Sequence, residues 1–122
     1  MYQHFQKIGG VIETPFLPIQ LYVTRYLQGD GLAVEASTTE EPPEPALTLS
    51  TNLAPQGSRL AANEFCVKAW SENAPFIEPL LRCGLFEDTG RRVRHGFVNA
   101  PVWRIVDPKN VPPSHVIEAT AD

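Results

Sequence analysis

Residues 19–36 constrain the fold most strongly, because side chains alternate between apolar and polar on both sides of a tight-turn signal. The apolar positions of this pattern are Ile19, Leu21, Val23, Leu32, Val34 and Ala36. A period of two is typical of a strand with one buried face. Asp30-Gly31 supplies the positive φ angles of a tight reversal between the two runs. The pattern therefore predicts an antiparallel hairpin at the start of a β-rich or α+β chain.

Later stretches predict further strands and one short helix. Strands are expected at residues 47–53, 64–70, 91–98 and 102–106, the last two joined through residues 99–101. A helical apolar stripe ends at Gly84 and uses Phe76, Ile77, Leu80 and Leu81. The predicted fold is α+β, an antiparallel sheet of five or six strands with one short helix packed on one face. Such a sheet leaves its other face for solvent or a partner.

Proline marks the segments between these elements, with 12 prolines in 122 residues. Residues 39–46 combine three prolines with three glutamates and contain no large apolar side chain. This composition predicts a mobile acidic loop. Prolines from Pro108 onward predict a loosely held C-terminal tail. The length fits a single domain over residues 1–122.

Charge and cysteine usage narrow the compartment and the partners. Ten Lys and Arg against 14 Asp and Glu give a formal charge of −4, which argues against a general nucleic-acid coat or a membrane-surface protein. No apolar run is long enough for a membrane span, and the N-terminus lacks the order of a secretory signal. We expect a cytoplasmic protein in which Cys66 and Cys83 are reduced, small apolar side chains; a disulfide between them is the alternative.

Five segments come in an order that resembles a known family. They are residues 49–53, 67–73, 84–91, 96–98 and 101–104, and they include Trp-Ser-Glu-Asn and Asp-Thr-Gly-Arg. Residues 47–106 thereby resemble small uncharacterised proteins carried by bacterial phages, plasmids and other mobile elements. The resemblance implies a small cytoplasmic accessory protein and assigns no catalytic residue. It leaves the N-terminal hairpin undescribed.

The densest charge feature is the basic run at residues 91–95. In a strand, Arg92 and Arg94 share one face, whereas Arg91 and His95 lie on the other. With Trp103, or with Phe97, these side chains could bind single-stranded nucleic acid. However, residues 61–122 carry seven basic and eight acidic side chains, and carboxylates near the run can pair with its arginines. The pattern favours a solvated, self-paired strand.

A second candidate site joins a predicted strand to the helix. Trp70, Glu72 and Asn73 could bind a ligand there, or they could pack and cap the helix. A small hydrolase or transferase would use Glu72 with Asp88 and His95. The histidines lack metal-ligand spacing, so no metal or cofactor is predicted.

These features favour a non-enzymatic interaction protein of a mobile element that binds another protein, or a second copy of itself in a homodimer. The enzyme and the single-strand binder remain as alternatives. Candidate binding residues are Trp70, Glu72, Asn73, Asp88, Arg91, Arg92, Arg94, His95 and Trp103.

Overall fold

The computed structural model describes residues 5–26, 31–53 and 60–113. Within them, strands form two antiparallel sheets of four, in the orders β1-β2-β3-β4 and β5-β6-β8-β7. The strands are β1 (Gln6–Ile12), β2 (Ile19–Arg25), β3 (Leu32–Thr38), β4 (Pro45–Thr48), β5 (Ser50–Thr51), β6 (Glu64–Val67), β7 (Phe86–His95) and β8 (Val98–Ile105). Helix α1 (Ile77–Arg82) follows a 3-10 helix at Ser71–Phe76, and a second 3-10 helix lies at Pro108–Asn110. The class is α+β, as predicted.

The hairpin strands predicted from the period-two pattern are confirmed. β2 and β3 pair without a break from Ile19 opposite Thr38 to Arg25 opposite Leu32. Every apolar position of the pattern is buried. Most of the turn, at residues 27–30, lies outside the described residues. Alternation was a dependable signal here because this sheet packs one face on the core.

Two sheets replace the single sheet that the sequence predicts, and the difference arises at Leu49. The predicted strand at 47–53 is divided: β4 pairs with β3, whereas β5 pairs with β6. The Leu49 N–H donates to the Val34 carbonyl at 2.9 Å, and the Leu49 carbonyl accepts from the Lys68 N–H at 2.7 Å. Residues 45–51 therefore belong to both sheets. The principal core contains buried side chains from each sheet, including Leu21, Val34, Leu49, Phe65, Trp103 and Ile105.

Strand β1 was missed because glycines interrupt its alternation. Ile8 lies opposite Leu21 and Ile12 opposite Ile19, so β1 carries two more residues than β2 across this interval. The buried Gln20 amide donates to the carbonyls of Ile8 and Gly9, both at 3.1 Å. The irregular stretch is thereby held by a side chain of the neighbouring strand.

The last hairpin turns at a different place from the predicted one. Residues 99–101 continue β8, and the reversal is at Gly96 and Phe97, between His95 and Val98. Pro101 suggested a break, but it lies just beyond the last β6–β8 pair, Cys66 opposite Val102, so no N–H is needed on that side. The strand expected at 91–98 accordingly begins at Phe86 and ends at His95.

The acidic segment forms the exposed connection between β3 and β4, although Pro45 and Ala46 already belong to β4. Its mobility stays a prediction. The end of the described chain lies against the first sheet: the Gln6 amide donates to the Lys109 carbonyl, and Arg25 donates to that of Pro112. None of the described helices has the length and apolar character of a membrane span.

Candidate functional site

The distal part of the β7–β8 hairpin, residues 91–100, is here called the hairpin arm. β6 pairs with β8 only between Glu64 and Cys66, whereas β7 continues to pair with β8 as far as His95 opposite Val98. The arm is therefore a two-stranded ribbon that extends past the part of β8 that pairs with β6. Gly96 has a φ of 61° and is followed by Phe97, an arrangement that fits a type II′ turn.

One face of the arm is anchored by a small apolar cluster. Ala100 is buried against Leu53 and Cys66, and partly buried side chains complete the cluster: Leu60, Trp70, Val93 and Val98. Arg92 and Arg94 alternate with Val93, so their side chains lie on the opposite face, and both are exposed. The anchored face holds the ribbon in place while the other remains accessible.

The basic run is only partly self-paired. Arg91 forms an ion pair with Glu64, whose side chain is 8% exposed. Arg104 pairs with Glu87 at 2.8 Å, and the Asp88 carboxylate accepts from the Gly90 N–H.

Arg92 and Arg94 form no ion pair with any carboxylate in the described residues. Of the arginines in the basic run, only Arg91 therefore has the ion pair with a described carboxylate that the sequence predicts.

The charge of Glu64 is stabilised by this arrangement. Burial alone would raise the pKa of its carboxyl group, but hydrogen bonds from Arg91 and the Ala61 N–H, with the nearby charge of Arg104, lower it below its ordinary value. Arg91 is therefore held by a carboxylate at the base of the arm.

Phe97 is the residue that sequence reasoning undervalued. Its side chain is fully exposed at the tip of the arm, beside His95 and close to Arg94 in the ladder. Placing the turn at residues 99–101 put Phe97 inside a strand, which hid its exposure. The available signal was the glycine directly before it, since Gly at the first central position is typical of a type II′ turn.

The other predicted binding residues have mainly structural contacts. Trp103 is 1% exposed and packs between Phe65 and Phe86, with ring centroids 6.3 and 5.7 Å away. The buried Asn73 amide donates to the carbonyls of Thr48 and Lys68, at 2.7 and 2.9 Å. Neither ring nor amide reaches the surface.

Trp70 is half-buried against the cluster at the base of the arm, and Glu72 is exposed in an ion pair with Lys68. That pairing lowers the pKa of the Glu72 carboxyl group.

The residues of the enzyme alternative are not brought together. Asp88 lies opposite Trp103 and His95 opposite Val98, five residues apart along β8, which is roughly 16 Å at about 3.3 Å per residue. Among the described residues, no group of three or more His, Cys, Asp or Glu could hold a metal ion.

Both cysteines are free thiols. Burial raises the pKa of each, which makes them poor nucleophiles at neutral pH.

Two open cavities lie away from the arm. One, of about 550 Å³, lies between β1 and α1 and is lined by Gly10, Glu13, Pro79, Arg82 and Cys83, among others. The other, of about 280 Å³, lies on the first sheet and includes Tyr22, Glu35 and Glu44. Neither contains the candidate residues predicted from the sequence.

The chain matches no family model, no curated protein and no solved structure. The resemblance of residues 47–106 to small proteins of mobile elements therefore stays a prediction, and the functional argument depends on geometry.

Proposed function

We propose that this protein is a non-enzymatic interaction protein that binds another protein through the hairpin arm. The observation that carries the proposal is a fully exposed Phe97 at the tip of the arm, whose outer face also carries Arg92 and Arg94, which form no ion pair with a described carboxylate. Aromatic and arginine side chains are the types most enriched at the centres of protein interfaces. Burying a side chain such as Phe97 contributes roughly 1.5–3 kcal/mol.

The same observation defines the chemistry of the partner. Phe97 needs an apolar pocket, and Arg92 and Arg94 need carboxylates on one side of that pocket. The arginines share a face of the ribbon, so the complementary surface is acidic along one flank. A second copy of this chain, as in the homodimer expected from the sequence, is one candidate partner.

Single-stranded nucleic acid is the competing ligand, because an exposed ring and two arginines on one hairpin could also stack on bases and bind phosphates. Two observations favour protein. Arg91 is paired with Glu64, so Arg92 and Arg94 are the arginines of the arm that have no ion pair with a described carboxylate. The net negative charge of the chain also opposes a polyanion.

Affinity capture with matched variants tests the proposal. The tagged chain is compared with Phe97→Ser and with Arg92→Glu/Arg94→Glu in a lysate of the source cells. Val106→Ser, which also removes an exposed apolar side chain, and Lys7→Glu/Lys109→Glu, which reverses two exposed charges, are the controls. We expect one protein to be captured by the wild type and both controls and to be lost with both arm variants.

Oligonucleotide anisotropy at two salt concentrations tests the competing ligand. Two arginines on phosphates would give a log–log salt slope of roughly −1 to −2 that disappears in the double arginine variant. Such a slope, or a captured protein that the arm variants retain, would overturn the protein-binding role of the arm.

A further inference from the structure

A cavity on the outer face of the first sheet has the chemistry of a cation-binding pocket. It measures about 280 Å³, and its walls include Phe5, Tyr22, Glu35, Pro43 and Glu44. Two aromatic residues, two glutamates and two prolines are thus among the residues that line one small open space. The hairpin arm contributes nothing to it, so the inference is independent of the function proposed above.

Strand register and a folded connection build this cavity. Tyr22 lies directly opposite Glu35 in the β2–β3 ladder, which places their Cβ atoms about 4.5–5.5 Å apart on the face away from the core. Thr38 fixes the backbone of Glu44 from both sides: its N–H donates to the Glu44 carbonyl at 2.8 Å, and its hydroxyl accepts from the Glu44 N–H at 2.9 Å. These two hydrogen bonds hold the backbone of Glu44 beside the end of β3.

We propose that this cavity binds an alkylammonium group. The negative face of an aromatic ring attracts a cation, and the carboxylate of Glu44 would complete the neutralisation. Glu44 makes no ion pair with any described cation, so its charge is available to a ligand. The volume is below that of sites for drug-sized molecules, but it accommodates a short alkyl chain ending in an ammonium.

Other occupants fit less well. A metal ion would need more ligands, since no group of three acidic, His or Cys side chains occurs among the described residues. An anion would meet two carboxylates. Lys7 lies opposite Tyr22 on β1, but it is exposed, does not line the cavity and makes no ion pair with a described carboxylate. The charge of Lys7 therefore reduces the negative potential of the cavity, but its side chain does not occupy the cavity.

Chemical-shift titration of the full chain tests the proposal with a pair of matched probes. Nα-acetyl-lysine methylamide carries the ammonium, and its Nε-acetylated form keeps the same stem without the charge. We expect saturable shifts at the amides of Tyr22, Glu35 and Glu44 with the charged probe only. Equal shifts with both probes, or none with either, would overturn the proposal.

n-Butylammonium in a parallel titration distinguishes the two sources of such a group. If n-butylammonium binds with the same Kd as the lysine probe, the site is assigned to free amines. If it binds with a higher Kd, the site is assigned to a lysine side chain within a peptide. Both results support the alkylammonium pocket.

Variants with matched controls locate the binding. Glu44→Gln should weaken it about two- to fivefold, the effect of one exposed ion pair, whereas Glu40→Gln removes the same charge from the same connection outside the cavity and should leave it unchanged. Tyr22→Leu should weaken it about two- to fivefold, and Tyr22→Phe should restore it because the ring is kept. Equal losses with Glu40→Gln and Glu44→Gln would refute a local site.

Discussion

At the residue scale, the ion pair between the buried Glu64 and the half-exposed Arg91 makes the stability depend on pH. The pKa of the Glu64 carboxyl lies below its ordinary value of 4.5, because the partner hydrogen bonds and charges outweigh burial. A lowered carboxyl pKa adds stability above the unfolded value, and this contribution is lost as pH falls through the folded value.

We therefore expect Glu64→Gln to reduce the free energy of unfolding by about 1–3 kcal/mol at pH 7, the worth of a hydrogen bond between charged groups. The gap between the two proteins should close as pH falls below about 4.5. Denaturant melts across pH measure it, with Glu87→Gln as a control, since its ion pair is exposed. A gap that does not change with pH would contradict the account.

Two adjacent glycines of β1 offer an internal comparison. Gly9 has a φ of 69°, and a Cβ there would come within 2.7 Å of the Leu85 side chain, whereas a Cβ on Gly10 would meet nothing within 4 Å. Gly9→Ala should destabilise the fold by about 1–3 kcal/mol. Gly10→Ala should change the stability by less than about 1 kcal/mol. Thermal or urea unfolding of the two variants checks this, and equal effects would show that β1 is not held as described.

At the element scale, two of the edge strands, β1 and β7, are irregular. β1 carries two extra residues opposite β2, and β7 carries two extra residues between Asp88 and Arg92 opposite β8. Bulges of this kind interrupt the row of free backbone groups that an edge strand would otherwise offer to another chain. The association proposed for the arm would use side chains and not this row of backbone groups.

The same irregularities show what could be predicted from the sequence. The strands β2 and β3 were predictable because alternation continued through both of them. Leu49 divides a segment that alternates like a single strand, and only its two backbone partners on different sheets reveal the division. Gly9 and Pro101 both suggested breaks, yet each lies within a strand whose neighbour makes the irregularity tolerable. At the site, the faces of Arg92 and Arg94 were predictable, whereas the exposure of Phe97 depended on where the turn falls.

The arm should keep its fold when the side chains proposed to bind a partner are changed. Phe97→Ser is expected to alter the free energy of unfolding by less than about 0.5 kcal/mol, because the exposed ring loses no packing. Val93→Ser, in the cluster that anchors the arm, should cost about 1–2 kcal/mol. Urea unfolding distinguishes the two, and a large cost for Phe97→Ser would mean that the ring packs against the chain.

At the scale of the whole molecule, residues 45–51 connect the two sheets, and we expect the sheets to unfold as one cooperative unit. Leu49 is fully buried in the core they share, and its backbone hydrogen-bonds to Val34 in β3 and to Lys68, the residue after β6. Amides of Val23 and Val67, one from each sheet, should exchange with the same limiting free energy of opening.

Leu49→Ala should lower both values together, by about 2–5 kcal/mol. Native-state hydrogen exchange measures them, with Val106→Ala as an exposed control. A first sheet that opens at a distinctly lower free energy would show that the sheets unfold separately.

The side chains proposed to bind the partner lie within six consecutive residues of the arm, so a short segment of the chain could carry them by itself. Arg92, Arg94 and Phe97 are displayed by a ribbon that closes on itself through a two-residue turn. A free peptide of this length would hold the ribbon poorly in water, but a macrocycle closed between the positions of Arg92 and Pro101 would restrain it. Such a ring could act as an inhibitor of the whole protein or be transplanted onto an unrelated scaffold as a recognition loop.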